Sequence, residues 1–68
     1  MIQQYVLDAL TRIGEATAKE IAHSIREATE IRFSVLTVVS ALAVLYLDGF
    51  VRQRRNRVRG RPTLWSVV

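Results

Sequence analysis

The sequence predicts an α+β domain in which three helices are followed by a two-stranded basic hairpin. Apolar residues recur at helical spacing up to Gly49. Beyond it, two short segments rich in β-favouring residues are separated by a turn-like stretch, and six arginines lie between positions 52 and 61. A chain of 68 residues is long enough for one thin core only, so we predict a single domain over residues 1–68.

Two amphipathic helices are predicted before position 30. In the first, apolar side chains recur at i, i+3, i+4 and i+7, and Gly14 ends the pattern. The second begins at an N-cap, Thr17, whose partner Glu20 three residues later completes a capping box. Residues 26–33 mix charges without apolar periodicity and predict a linker. The apolar faces are formed by Ile2, Tyr5, Val6, Ala9, Leu10 and Ile13 in the first helix, and by Ala18, Ile21, Ala22 and Ile25 in the second.

A third helix and two strands complete the prediction. Ser34 is placed to cap the third helix, which runs to Asp48, and Gly49 favours a left-handed C-cap. The segments FVRQR and PTLWSVV then predict two strands joined by the basic loop RNRVRG. Alternation along the second strand directs both Trp65 and Val67 towards the core.

Composition excludes several classes of protein. Half of the residues are hydrophobic and 24% are charged, which is too apolar for intrinsic disorder. The chain has no cysteine, so disulfides and thiolate metal sites are excluded, and we predict neither a metal nor a cofactor. The single His23 is predicted to be a surface residue, and Glu27 and Glu30 a solvated pair rather than an acid and a base. The sequence therefore predicts no enzyme.

The positive charge is concentrated in the last part of the chain. Residues 1–49 carry four basic and six acidic side chains, whereas residues 50–68 carry six arginines and no acid. Such a patch is typical of a phosphate-binding surface, since an arginine fork pairs with phosphate oxygens and stays protonated. A solvated loop without a ligand and an RNA-binding segment are the alternatives. The arginines predicted to contact nucleic acid here are Arg52, Arg54, Arg55, Arg57, Arg59 and Arg61.

The order of elements and several short motifs resemble the winged helix-turn-helix superfamily. TAKEIAHSI resembles its second helix, and SVLTVVSALAVLYLDGFVRQR resembles its third helix and first wing strand. GRPTLWSV is similar to the second wing strand of PadR-like and related small bacterial or phage regulators, with Trp65 where they place tyrosine. The resemblance implies sequence-specific binding to double-stranded DNA and control of transcription, in the cytoplasm, and on the nucleoid if the host is bacterial.

Two departures from these relatives limit the resemblance. PadR-like regulators add a dimerisation helix that these 68 residues do not contain, so a dimer would form differently. GRPTLW also resembles the Pro-rich wing of Z-DNA-binding winged helices. Alignment on Gly49, however, places Val35, Val39 and Ala43 where that family has lysine, asparagine and tyrosine. We therefore predict that this chain does not recognise Z-DNA.

The third helix is predicted to present an uncharged face to solvent. Arg, Lys, Asn and Gln make the bidentate contacts to base edges, and none occurs from Ser34 to Leu47. Two interpretations stay open. In the first, the face reads DNA weakly, through the hydroxyl of Ser40 or Thr37 and contacts to thymine methyls. In the second, a second copy or another protein covers the face, and DNA is contacted by the wing and by Arg26 and Arg32 near the start of the helix. Its interface candidates are Leu36, Val39, Ala43 and Leu47, opposite the inward-facing Val38, Ala41, Leu42 and Leu45.

A membrane anchor is the remaining alternative, because residues 33–47 carry no charge and an arginine cluster follows. The stretch is shorter than the about 20 residues that span a bilayer, and a two-strand pattern follows it. We therefore predict a DNA-binding winged-helix regulator that contacts phosphates and the minor groove through its arginine-rich wing, as a homodimer or with a protein partner. The alternative function is a protein-interaction module whose apolar third helix docks a partner protein.

Overall fold

Three helices and a small antiparallel sheet make up the fold. The computed structural model describes residues 2–55, 60 and 62–68. The predicted order, three helices followed by two wing strands, is confirmed. The strands form one sheet in the order β1-β3-β2. The elements are α1 (Ile2–Ile13), β1 (Glu15–Ala16), α2 (Ala18–Thr29), α3 (Val35–Leu47), β2 (Val51–Arg54) and β3 (Leu64–Val67).

The short strand β1 is an addition to the predicted elements. Gly14 has a φ of 96°, a left-handed conformation that favours glycine, and it turns the chain as α1 ends. Glu15 and Ala16 then pair with Ser66 and Trp65 of β3. A strand of two residues is too short to show an alternation of apolar and polar residues in the sequence. It can therefore be recognised only from its pairing with β3, which is far away in the chain. As a result β3 lies in the centre of the sheet, with β1 on one side and β2 on the other.

The predicted caps at the starts of α2 and α3 are both present. Glu20 N–H donates to the Thr17 hydroxyl over 3.3 Å, and Thr17 N–H donates to the Glu20 carboxylate over 3.1 Å. This reciprocal pair is the expected capping box. At the start of α3, the Ser34 hydroxyl accepts a hydrogen bond from Thr37 N–H over 3.1 Å. The caps thus define where both helices begin.

The end of α3 is a Schellman motif centred on Gly49. This residue has a φ of 83°, and its N–H donates to the carbonyl of Tyr46 over 3.1 Å. Phe50 N–H donates to the carbonyl of Leu45 over 2.9 Å. Both bonds satisfy carbonyls that a helix end leaves without partners. The predicted left-handed C-cap is therefore confirmed, and it directs the chain from α3 straight into β2.

The second helix is longer than the sequence predicts. Residues 26–29, expected to belong to a linker, form its last turn. Thr29 donates a hydrogen bond from its hydroxyl to the carbonyl of Ile25 over 2.8 Å, and Glu30, at a φ of 64°, ends the helix. The prediction of a linker is wrong for these residues. The last turn of the helix has no buried apolar side chain, so the sequence shows no helical spacing of apolar residues there.

The core lies between the three helices and the inner face of the sheet. Trp65 is buried as predicted, and its ring meets that of Tyr46 edge-on, with ring centroids 6.3 Å apart. Val67 pairs with the buried Val51 and therefore lies on the same face of the sheet as Trp65, as predicted, but it is 39% exposed, so its predicted burial is wrong. The reason is that β1 flanks β3 only at Trp65 and Ser66, and Val67 lies beyond it. The fully buried large side chains are Val6, Leu10, Ile21, Ile25, Val38 and Leu42.

The last apolar residue of α1 also departs from its prediction. Ile13 is 40% exposed, although it continues the spacing of the apolar face. It occupies the final position of the helix, next to the turn at Gly14, and so it projects past the core.

Candidate nucleic-acid interface

The outward side of α3 carries an uncharged surface, which we call the α3 face. The predicted division of the helix is confirmed, since Val38, Ala41, Leu42 and Leu45 are buried. Leu36 and Leu47 are 78% and 82% exposed. The α3 face consists of Leu36, Val39, Ser40, Ala43 and Leu47, all of which are exposed.

The hydroxyl groups of α3 are engaged within the helix. Ser40 donates its hydroxyl hydrogen to the carbonyl of Leu36 over 3.1 Å. The hydroxyls of Ser34 and Thr37 lie 2.7 Å apart and take part in the N-terminal cap. A hydroxyl has one hydrogen to donate, so Ser40 can donate to a ligand only by giving up its bond to Leu36. Base readout by this face is therefore more restricted than its sequence suggests.

A basic surface borders the start of α3, and we call it the α2 ridge: Lys19, Arg26 and Arg32. Lys19 and Arg26 are seven residues apart on α2, so they lie on one side of the helix. Both line a groove with Arg32 and Val35, the first residue of α3. The structure thus brings together Arg26 and Arg32, which were predicted, and Lys19, which was missed. The i, i+7 spacing of the two α2 residues was the available signal.

Acidic side chains lie beside the ridge. Glu30 lines a second groove together with Arg26 and Arg32. His23, which also lines the groove at α3, is 2.9 Å from the carboxylate of Glu27 through its Nε2, and both side chains are about 70% exposed. A ligand at the ridge would therefore meet cations that are partly balanced by neighbouring carboxylates.

The second basic surface is the wing, meaning β2, β3 and the segment between them. Arg52 and Arg54 alternate along β2, opposite Ser66 and Leu64 of β3, so they share one side of the sheet as predicted. Arg55 follows the strand and is exposed. The other predicted wing arginines, Arg57, Arg59 and Arg61, lie outside the described residues.

An ion pair on the wing connects Arg54 to Glu15. The guanidinium of Arg54 donates to the carboxylate of Glu15, which belongs to β1, so the pair crosses over the central strand β3. Its side chains are 67% and 38% exposed, respectively. Sequence reasoning did not find this contact because the two residues are far apart in the chain. One of the predicted phosphate-binding arginines thus has an internal partner.

The described residues hold neither a candidate metal cluster nor a helix that could span a membrane. Among residues 2–55, 60 and 62–68, no three acidic or histidine side chains come together as a metal site. Within the same part of the chain, no helix combines the length and the apolar character that a bilayer span requires. The uncharged α3, with 13 residues, ends well short of that length.

No protein-family model matches this sequence, and no curated protein does. Solved structures, in contrast, are similar over nearly the whole chain. The Zα domain of Carassius auratus PKZ, solved in complex with Z-DNA, superposes with a TM-score of 0.78 at 21% identity, covering 98% of this chain and 92% of that one. A transcriptional regulator from Clostridium thermocellum, Cth-833, gives a TM-score of 0.86 at 23% identity, covering 98% and 67%.

A third similar structure also covers nearly all of this chain. F93 from STIV, a winged-helix DNA-binding protein, superposes with a TM-score of 0.77 at 14% identity, covering 98% of this chain and 72% of that one. Such identities establish the fold rather than the ligand. Together with the order of helices and strands, these similarities show that the chain has the winged helix-turn-helix fold.

Proposed function

We propose that this chain is a small DNA-binding regulator that holds the phosphate backbone of a duplex through basic surfaces at both ends of α3. The proposal rests on the positions of the two basic surfaces relative to α3. The α2 ridge borders the first residue of α3, and β2, with Arg52 and Arg54, follows its end. The 13 residues between them span about 20 Å. That length bridges the about 12 Å width of a major groove.

The similar structures support a nucleic-acid ligand. They include a winged-helix DNA-binding protein, a transcriptional regulator and a domain bound to Z-DNA. Those properties belong to those proteins, and here they agree with the clustered arginines of this chain. Z-DNA is not the ligand that we propose, because Val35, Val39 and Ala43 are exposed apolar side chains on α3 and offer no hydrogen-bonding group.

The proposed mode of binding is electrostatic, with little sequence selectivity. Lysine and arginine that contact phosphate release condensed counterions, which supplies the sequence-independent part of the affinity. The α3 face has apolar groups for thymine methyls, and Ser40 can donate to a base only by giving up its bond to Leu36. We therefore propose that the wing and the α2 ridge determine affinity, while α3 adds a modest preference for thymine-rich sites.

The test is the salt dependence of duplex binding, measured by fluorescence anisotropy with a random 20-base-pair duplex. Each phosphate contact contributes about −0.9 to the slope of log K against log salt concentration. Replacing Arg52 and Arg55, or Lys19 and Arg26, by alanine should therefore flatten the slope by about 2 in each case. Arg12→Ala is the matched control, because Arg12 lies at the end of α1, outside both basic surfaces.

The outcomes separate the proposal from its alternatives. An unchanged slope in both double variants, with the fold intact by circular dichroism, would refute binding through these surfaces. Tighter binding to an RNA duplex of the same sequence than to the DNA duplex would replace DNA by RNA as the ligand. Flattening by the wing variant alone would restrict the interface to the wing and remove the α2 ridge from it.

A protein-interaction module is the second candidate function. The exposed leucines of the α3 face favour it, because exposed apolar patches on small domains mark interaction sites. It becomes the preferred function if the purified protein binds neither duplex at low salt.

A further inference from the structure

We propose that, without DNA, two copies of this chain pair through their α3 faces with the helices antiparallel. The most outward stripe of α3 is Leu36, Ser40, Ala43 and Leu47, at spacings of four, three and four residues. This is the spacing of a helix–helix seam, in which each helix places side chains between those of its neighbour. The stripe is exposed along its whole length, so a second helix has an uncovered surface to pack on.

The order of large and small residues in the stripe identifies the second helix as another copy. Two large residues lie at its ends and two small ones in its middle. A two-fold axis through the middle of α3 sets Leu36 of one copy against the partner's Leu47, and Ser40 against the partner's Ala43. The small central pair lets the helix axes approach, and the leucines then close both ends. Such a surface is self-complementary, as a two-fold interface requires.

Charge favours the same arrangement. Arg32 precedes α3 and Asp48 follows it, and both are exposed. In the described part of the chain neither forms an ion pair. Antiparallel helices place these two opposite charges near each other at both ends of the seam, whereas parallel helices would set Arg32 against Arg32 and Asp48 against Asp48. The α2 ridge of one copy and the wing of the other are both basic, and their repulsion limits the strength of the pairing. Between them α3 carries no charge, and the Ser40 hydroxyl already donates to Leu36, so burial leaves no donor without a partner.

The pairing should be weak and should compete with DNA. A seam of one helix per copy gives an interface below the about 1,600 Å² of a standard one, so we expect dissociation in the micromolar range. The competition rests on the proposed function, because the same face would lie over the major groove. Pairing itself does not depend on that function and is measured without DNA.

Sedimentation equilibrium of the free protein from about 1 to 300 μM tests the pairing. The average mass should rise from monomer to dimer over this range. Ala43→Glu and Ala43→Lys should each weaken association by about 100-fold or more, because like charges would meet near the two-fold axis. An equimolar mixture of the two variants should recover the dimer. Ala28→Glu is the matched control, since Ala28 is exposed on α2 and lies outside the seam.

Cysteine cross-linking tests the orientation, and the chain has no cysteine of its own. Leu36→Cys and Leu47→Cys proteins, mixed at high concentration and mildly oxidised, should form mainly the disulfide that joins the two different variants. Preferential joining of like variants would overturn the antiparallel arrangement. A wild-type protein that stays monomeric to 300 μM, or a dimer that Ala43→Glu leaves intact while folded, would overturn pairing through this face.

Duplex binding by the same variants keeps the two proposals apart. If the wild type pairs but binds no duplex, the proposed function fails and the pairing stands. If it is monomeric and Ala43→Glu only weakens duplex binding, the α3 face is occupied by DNA and not by a second copy.

Discussion

Neutralising Glu15 should strengthen DNA binding, because this carboxylate holds Arg54 on the surface of the wing. Glutamine keeps the shape of the side chain and an acceptor for Arg54 but removes the charge, so Arg54 can turn towards a phosphate. The cost in stability should be small. Both side chains of the pair are substantially exposed, and exposed pairs contribute at most about 1 kcal/mol to the free energy of unfolding.

The gain in affinity has two sources. Removing a negative charge about 10 Å from a phosphate relieves roughly 0.4 kcal/mol of repulsion in water, which is about twofold in affinity. If Arg54 then gains a phosphate contact, the slope of log K against log salt becomes steeper by about 0.9. Together these effects predict an increase in duplex affinity of about two- to tenfold near 50 mM salt.

Anisotropy titrations of Glu15→Gln at several salt concentrations measure both quantities. Asp8→Asn is the matched control, because it changes the net charge equally but lies on α1, where Asp8 accepts a hydrogen bond from Gln4. Glu15→Gln should exceed it in affinity and in slope. Equal shifts in the two variants would show a general charge effect, and an unchanged slope would remove Arg54 from the phosphate contacts.

Three further changes test the core, the end of α3 and its face. Trp65→Ala should lower the free energy of unfolding by about 3–5 kcal/mol, since the ring is buried. Urea titrations followed by circular dichroism measure this loss, and a loss below about 1 kcal/mol would contradict the place of Trp65 in the core. Gly49→Ala should lower the free energy of unfolding by about 1–2 kcal/mol in the same assay. The cost comes from the positive φ alone, because a Cβ at this position meets nothing within 4 Å. An unchanged midpoint of unfolding would argue against backbone strain. Ser40→Ala should leave duplex affinity within about twofold, because the hydroxyl donates to Leu36; a larger loss in anisotropy titrations would assign it a base contact.

The parts of the fold that follow from local chemistry could be predicted from the sequence. The capping box at Thr17, the cap at Ser34 and the glycine after α3 each act within a few residues, and all three are present. The pairing of β1 with β3 and the exposure of Val67 could not be predicted, because they depend on contacts between segments far apart in the chain.

The candidate site was predictable to a similar degree. The inward and outward sides of α3 follow from the helical period and are confirmed. The partner of Arg54 depends on the position of β1, which the sequence does not indicate. Lys19 joins Arg26 and Arg32 only because the groove beside α3 brings them together, although its spacing from Arg26 was visible.

The central strand of the sheet follows every other element along the chain, and this order affects how the protein folds during synthesis. The backbone hydrogen bonds of the three helices are local and form within about a microsecond, and packing of the helices against one another then stabilises them. The sheet cannot form until its central strand, Leu64–Val67, has been synthesised, because β1 and β2 pair with β3 and not with each other. Trp65 arrives with the same strand and completes the core. Folding on the ribosome should therefore end in one late step, whose rate is limited by joining distant segments.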